Sequence, residues 1–125
     1  MSKLDAQIDQ FEKALARLKE VLELPKDAVV RDSAIQRFEF TSDIGWKTLK
    51  VYLEEKKGVI CKSPKECFRE AYKQGVVEYE DKWIEVVDMR NETVHTYNEQ
   101  LAEEIFGKLP GVVLLFDSLL GAVKV

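Results

Sequence analysis

Most residue types that do chemistry or force a chain to turn are scarce here. There is one histidine, there are two cysteines, and there are three prolines and six glycines in 125 residues. One histidine with Cys61 and Cys67, five residues between them, does not make a zinc set, so neither metal nor cofactor is expected. No signal peptide opens the chain, which predicts reduced thiols in a cytoplasmic protein: Cys61 in a loop, Cys67 as a small core residue. The longest apolar run, Val112 to Phe116, is too short to span a membrane. Basic residues are in deficit, with a formal net charge of -4, which argues against a dedicated nucleic-acid coat. Strand patterns are missing as well. Thr93 to Tyr97 alternates weakly but is too short and isolated to pair.

Helical periodicity fills the remainder. The length fits one domain, residues 1–125, large enough for a core without staples. Ile8, Phe11, Leu15, Leu18 and Leu22 recur at three- and four-residue steps and predict a helix from Ser2 to Leu24, ended by Pro25. A second helix is expected from about Arg31–Ser33 to Lys57, stopped by Gly58. It carries two apolar stripes. Ile35, Phe38, Trp46, Leu49 and Leu53 form one, with small Ser42 and Gly45 in line; Phe40, Ile44 and Val51 form the other. A surface helix needs only one stripe, so the second implies deep burial or a subunit interface.

Ser63-Pro64 opens a short third helix that Gly75 closes. A fourth starts near Asp81, and Asn98 caps a fifth that reaches the C-terminus with a kink or break expected at Pro110. The fold class is all-α: an up-and-down antiparallel bundle of four main helices plus a short one.

The sole histidine lies in Asp88-Met89-Arg90-Asn91-Glu92-Thr93-Val94-His95-Thr96-Tyr97. On one ideal helix Arg90 and His95 would diverge by about 140°. They converge only if the helix ends near Val94 and the chain bends, which Asn98 as the next N-cap favours. A converged pair suits attack of a ribose 2′-hydroxyl on the adjacent phosphate without metal. Arg90 would stabilise phosphoryl charge, His95 would move a proton, and Asn91 would orient either. Tyr97 would donate a hydrogen bond, act as nucleophile or accept a modifying group. The competing reading is that Asp88 and Glu92 tie up Arg90 and His95 as ion pairs. Charge is also uneven. Residues 31–75 carry ten Lys/Arg against seven Asp/Glu, whereas residues 76–106 carry two against nine. The motif therefore sits in the acidic part, and Arg37, Lys47 and Lys50 are the candidates to line an anion cleft.

Arg90-Asn91, a short spacer and His95 resemble the signature of the HEPN superfamily, and Arg90, His95 and Tyr97 together resemble the motif of HepT-like toxins. Gln36-Arg37-Phe38-Glu39-Phe40-Thr41, Gly45-Trp46-Lys47-Thr48-Leu49-Lys50 and Ser63-Pro64-Lys65-Glu66 resemble the nucleotidyltransferase substrate-binding protein family within that superfamily. The resemblance implies a bacterial homodimer whose two motifs face a shared cleft, and a separate minimal nucleotidyltransferase as partner. It implies a metal-independent ribonuclease toxin, with Arg90 and His95 catalytic, Asn91 supportive, and Tyr97 AMPylated by the antitoxin partner. Its alternatives are a non-catalytic subunit that binds a substrate or nucleotide for the partner, and a structural dimeric adaptor.

Overall fold

The computed structural model describes residues 2–125. Five α-helices run in chain order: α1 (Lys3–Leu22), α2 (Ala28–Lys57), α3 (Pro64–Lys73), α4 (Asp81–Glu92) and α5 (Glu99–Val123). A 3₁₀ turn, Thr93–His95, follows α4. Local chemistry sets the ends. Ser2 and Asp5 form a reciprocal capping box on α1. The Ser63 side chain caps α3 with Pro64 in its first turn, and Asn98 accepts from the Leu101 N–H at the start of α5. Gly58 and Gly75 take the left-handed conformation, φ 65° and 73°, that lets the chain leave α2 and α3.

Three expectations are corrected. First, α2 starts earlier than Arg31, because Asp27 accepts from the Val30 N–H at 2.7 Å and caps it there. Second, α5 is not broken at Pro110. The helix is continuous from Glu99 to Val123, and Gly107, Pro110 and Gly111 all lie on its exposed side. An exposed proline there removes one helical hydrogen bond without disturbing the packed face, so the helix continues through it. Third, Cys61 and Cys67 are joined in a disulfide rather than being free thiols, and both are buried. The loop after Gly58 brings their Cα atoms to 5.2 Å, within bridging range.

Cross-helix bonds give the directions. Thr48 bonds the Gln7 carbonyl and Arg37 the Arg17 carbonyl, so α1 and α2 run antiparallel. Lys19 pairs with Asp117 and Lys124 with Glu12, so α1 and α5 are antiparallel too. Arg90 reaches Asp43 and Thr93 reaches Glu39, setting α4 against α2 in the same sense. The expected up-and-down bundle results, with α2 and α5 parallel and in direct contact and α3 packed on α2 and α4.

Phe116 of α5 is the hub of the core. Its ring lies 5.9 Å from Phe11 of α1, 6.3 Å from Phe38 of α2 and 5.9 Å from Trp83 of α4. Trp83 in turn stacks on Phe68 of α3 at 4.4 Å, so one aromatic chain touches every helix. Gly45 admits the Phe11 ring so closely that an added Cβ would lie 3.1 Å from it, the close approach that a small residue in the first stripe permits. The second stripe of α2 is only partly covered within the chain: Val51 is buried, Ile44 and Phe40 are half-buried, Ile44 packing on the core and the Arg17 guanidinium lying 5.0 Å over Phe40.

By length and composition α5 could cross a membrane, but it supplies Ala102, Ile105, Leu109, Val112, Phe116, Leu119, Leu120 and Val123 to the core. Replacing Phe116 by Ala should destabilise the chain by about 3–5 kcal/mol, read from urea unfolding. A loss under about 1 kcal/mol would show that the rings do not pack as described.

Candidate functional site

The bend anticipated after the fourth helix is present, and it is pinned from both sides. Helix α4 ends at Glu92, and the 3₁₀ turn carries the backbone through Thr93, Val94 and His95. The Thr96 hydroxyl donates to the Thr93 carbonyl at 2.8 Å, and the Asn98 N–H donates to the His95 carbonyl at 3.0 Å. The backbone around His95 is thereby fixed while its ring stays exposed.

Arg90 occupies the last turn of α4, where a cation also favours the helix dipole. Its side chain, 24% exposed, turns towards α2. Nε donates to Asp43 Oδ1 at 2.9 Å and Nη2 to Asp43 Oδ2 at 3.0 Å, a two-pronged, charge-assisted clamp. Nη1 donates to the Thr93 hydroxyl at 3.3 Å, and Glu39 Oε1 lies 3.8 Å from Nη2. The Thr93 hydroxyl has one hydrogen for two acceptors, Glu39 Oε2 at 3.0 Å and the Arg90 carbonyl at 2.7 Å. The Asp43 hydrogen bonds, then the charges of Asp43 and Glu39, push the Arg90 pKa up against the opposing effect of desolvation, so the cation is permanent. The clamp consumes one edge of the guanidinium. The outer N–H of Nη1 remains for an anion.

His95 and Tyr97 form the second half of the site. Tyr97 is 82% exposed, with its hydroxyl 3.4 Å from His95 Nδ1 and the ring centroids 6.0 Å apart. No hydrogen bond joins Arg90 to His95; the turn places both at one end of α4, each with its own partners. Asn91 is exposed and lines a cavity of about 120 Å³ with Arg90, Asp43, Trp46, Pro64 and Phe68.

Expected ion-pair partners are redistributed. Asp88 pairs with Lys65 at 2.7 Å, and Glu92 is exposed; neither ties up Arg90 or His95. The acids that do hold Arg90, Glu39 and Asp43, come from α2, four residues apart on one face and far away in sequence. That i, i+4 acidic pair was the available signal, but nothing in the sequence assigned it to Arg90. Of the candidate cleft cations, Arg37 is committed to the Arg17 carbonyl at 2.7 Å on the α1 side. Lys50 lies 6.0 Å from the Trp46 ring, and Lys47 is exposed. Among the described residues no group of three or more His, Cys, Asp or Glu could hold a metal ion. A larger groove, about 740 Å³, lies between α4 and α5 and is lined by Trp83, Met89 and Ile105 with Glu85, Glu92 and Glu104 on it; it contains none of Arg90, His95 or Tyr97.

Replacing Asp43 by Ala should release the Arg90 side chain and cost about 1–2 kcal/mol in urea unfolding, the value of charged hydrogen bonds at a part-exposed site. Unchanged stability, together with an unchanged Arg90 Nε–H resonance, would show that the clamp does not form in solution.

Comparison with known proteins matches this geometry to a family. The profile of the family described as nucleotidyltransferase substrate binding protein like matches residues 6–124. A Haemophilus influenzae protein described as a probable ribonuclease HepT is 28% identical over 105 residues, covering 78% of this chain and 72% of that protein. A crystal structure of a Thermus thermophilus protein shares the fold with a TM-score of 0.88 at 45% identity, covering 92% of this chain and 99% of the other. A Haemophilus influenzae structure, described as revealing the fold of a substrate binding domain of a nucleotidyltransferase, superposes with a TM-score of 0.70 at 23% identity, over 98% and 97% of the two chains. With an all-helical bundle and a family match over nearly the whole length, the chain belongs to the nucleotidyltransferase substrate binding protein like family.

Proposed function

We propose that this chain is the RNA-cleaving member of a two-component unit whose other member is a separate nucleotidyltransferase. The observation that carries the reading is the exposed His95 ring beside Tyr97 on a pinned turn, one helical turn beyond an Arg90 that never loses its charge. The relative described as a probable ribonuclease supports it.

The chemistry follows from the groups present. The 2′-oxygen attacks the adjacent phosphorus, giving up its proton, and the bond to the 5′-oxygen breaks, leaving a 2′,3′-cyclic phosphate and a 5′-hydroxyl. His95 accepts the first proton or supplies the second. Arg90, through its outer Nη1–H, stabilises charge on a non-bridging oxygen. Asn91 positions the substrate. No step needs a metal ion. A homodimer would set two such motifs across one cleft and let His95 of one copy work with Arg90 of either.

Tyr97 is the proposed control point. Its hydroxyl attacks the α-phosphorus of ATP in the partner's active site, pyrophosphate leaves, and AMP becomes esterified to the phenol. With that oxygen 3.4 Å from His95 Nδ1, the adenylyl group would cover the imidazole and put negative charge where RNA phosphate must bind.

A second reading has its own support. The site lies within an acidic segment, and Arg90 is largely neutralised by Asp43 and Glu39, which suits a subunit that holds a small substrate or nucleotide for the partner better than tight RNA binding.

Two assays separate them. His95→Ala should lower cleavage by at least about 100-fold at unchanged melting temperature. Incubation with the partner and ATP should add AMP-sized mass to the wild type and none to Tyr97→Phe. Cleavage that survives His95→Ala would refute the ribonuclease assignment, and modification of Tyr97→Phe would move the control point elsewhere.

A further inference from the structure

Helices α4 and α5 stand side by side on α2 without packing closely on each other, and the space between them is the groove of about 740 Å³. Each helix lends it one stripe. On α5 the stripe runs from Leu101 to Ser118, about 26 Å at 1.5 Å per residue, which is the length of a helix of about seventeen residues. Buried Trp83, Ile105 and Val112 close the floor. Leu114, 70% exposed, and Tyr79, 43% exposed, stand on the sides with half-buried Leu101 and Leu115. By composition α5 is apolar enough to cross a membrane, yet only 33% of its most apolar stretch is buried. The bundle therefore leaves apolar surface of α5 without a partner, in a trough with the length of one more helix.

The rim decides what fills it. Glu78, Glu85, Glu92 and Glu104 are exposed there, and among the described residues none of their carboxylates meets a cation. Asp88, also on the rim, is paired with Lys65 at 2.7 Å. Two cations line the groove, Lys108 and Lys82, and the Lys82 ammonium sits 3.8 Å over the Tyr79 ring. Four uncompensated carboxylates around an apolar trough repel an RNA backbone and an anionic bilayer alike. A second copy that laid this face on itself would set those carboxylates against their own kind. A helix with one apolar stripe flanked by lysine or arginine complements both the floor and the rim.

We propose that the groove between α4 and α5 is a docking site for a basic amphipathic helix of another protein, with its apolar stripe on Leu101, Leu114 and Leu115 and its cations on the four glutamates. The groove ends at Glu92 and Leu101, where α4 stops and α5 begins, so the docked protein lies next to the turn that carries His95 and Tyr97. It is held where it can modify or shield that turn. The site does not depend on whether the chain cuts RNA.

The probe is a labelled peptide of about seventeen residues, with leucine on one helical stripe and lysine elsewhere. Binding to the whole chain is read by fluorescence anisotropy at physiological salt, where diffuse attraction between surface charges is screened. A peptide of the same composition with its leucines shuffled, and one with glutamate for lysine, should each bind at least about tenfold more weakly. Leu114→Asp should weaken the basic peptide by about tenfold or more, as should Glu85→Lys combined with Glu104→Lys. Glu20→Lys with Glu23→Lys, on exposed positions of α1 and its cap, makes the same change in net charge and should alter binding by less than about twofold. All the substituted side chains are exposed, so melting temperatures should hold; if Leu114→Asp lowers its own, the two charge-reversed pairs carry the test.

Equal binding of the shuffled peptide, or equal weakening by the α1 and groove charge reversals, overturns the proposal. A dimer in sedimentation that Leu114→Asp turns into a monomer would give the groove to a second copy and overturn it too. So would a labelled RNA whose binding Leu114→Asp abolishes. An oligomeric state unchanged by Leu114→Asp, with peptide binding lost, supports it.

Discussion

The clamp between Arg90 and Asp43 is the interaction on which the site depends. It spans α4 and α2, fixes the guanidinium plane, and with Thr93 and Glu39 ties the last turn of α4 to the middle of the longest helix. An arginine free to wander would have to be ordered by its ligand, at the cost of side-chain entropy. Here that ordering is done on folding. The same bonds limit what Arg90 offers, because a fork already facing a carboxylate presents only its outer N–H to a phosphate. The two halves of the motif thus have different characters: Arg90 is rigid and largely neutralised, whereas His95 is exposed on a pinned turn beside Tyr97.

The aromatic chain running from Phe11 through Phe116 and Trp83 to Phe68 makes this geometry possible. It holds α3 and α4 in register with α2, so that residues separated by dozens of positions meet at one end of α4. The long α2 is the common surface, which is why it needs apolar residues on more than one side. Its second stripe is used within one chain, by Arg17 over Phe40 and by the packing of Ile44 and Val51.

Much of this was legible in the residues. Periodicity of the Phe11–Leu15–Leu18 kind gave the helices, and the caps Ser2, Ser63 and Asn98 gave their starts, because both depend on neighbours a few positions away. The bend after α4 was legible for the same reason. What the sequence hid depends on contacts between distant segments. Asp43 and Glu39 read as a solvated i, i+4 pair until α4 is laid against them. The Cys61–Cys67 bridge depends on how the loop after Gly58 folds back. Pro110 reads as a breaker unless one knows that it faces water. Asp27 does not stand out as a cap, because Val29 and Val30 read as loop residues by their low helix propensity.

The acidity around the motif fits a site that works on a substrate delivered or modified by a partner, with affinity spread over few contacts. In the proposed control step, a phosphodiester on Tyr97 would add to negative potential already present. The proposed mechanism stands or falls on the bond that is broken. End-group analysis of RNA fragments made by the purified chain in excess chelator reads that bond without intermediaries. The mechanism predicts 2′,3′-cyclic phosphate and 5′-hydroxyl ends, and no cut where the attacking 2′-hydroxyl is replaced by hydrogen. Ends bearing 5′-phosphate and 3′-hydroxyl, or cutting at a 2′-deoxy position, would contradict it.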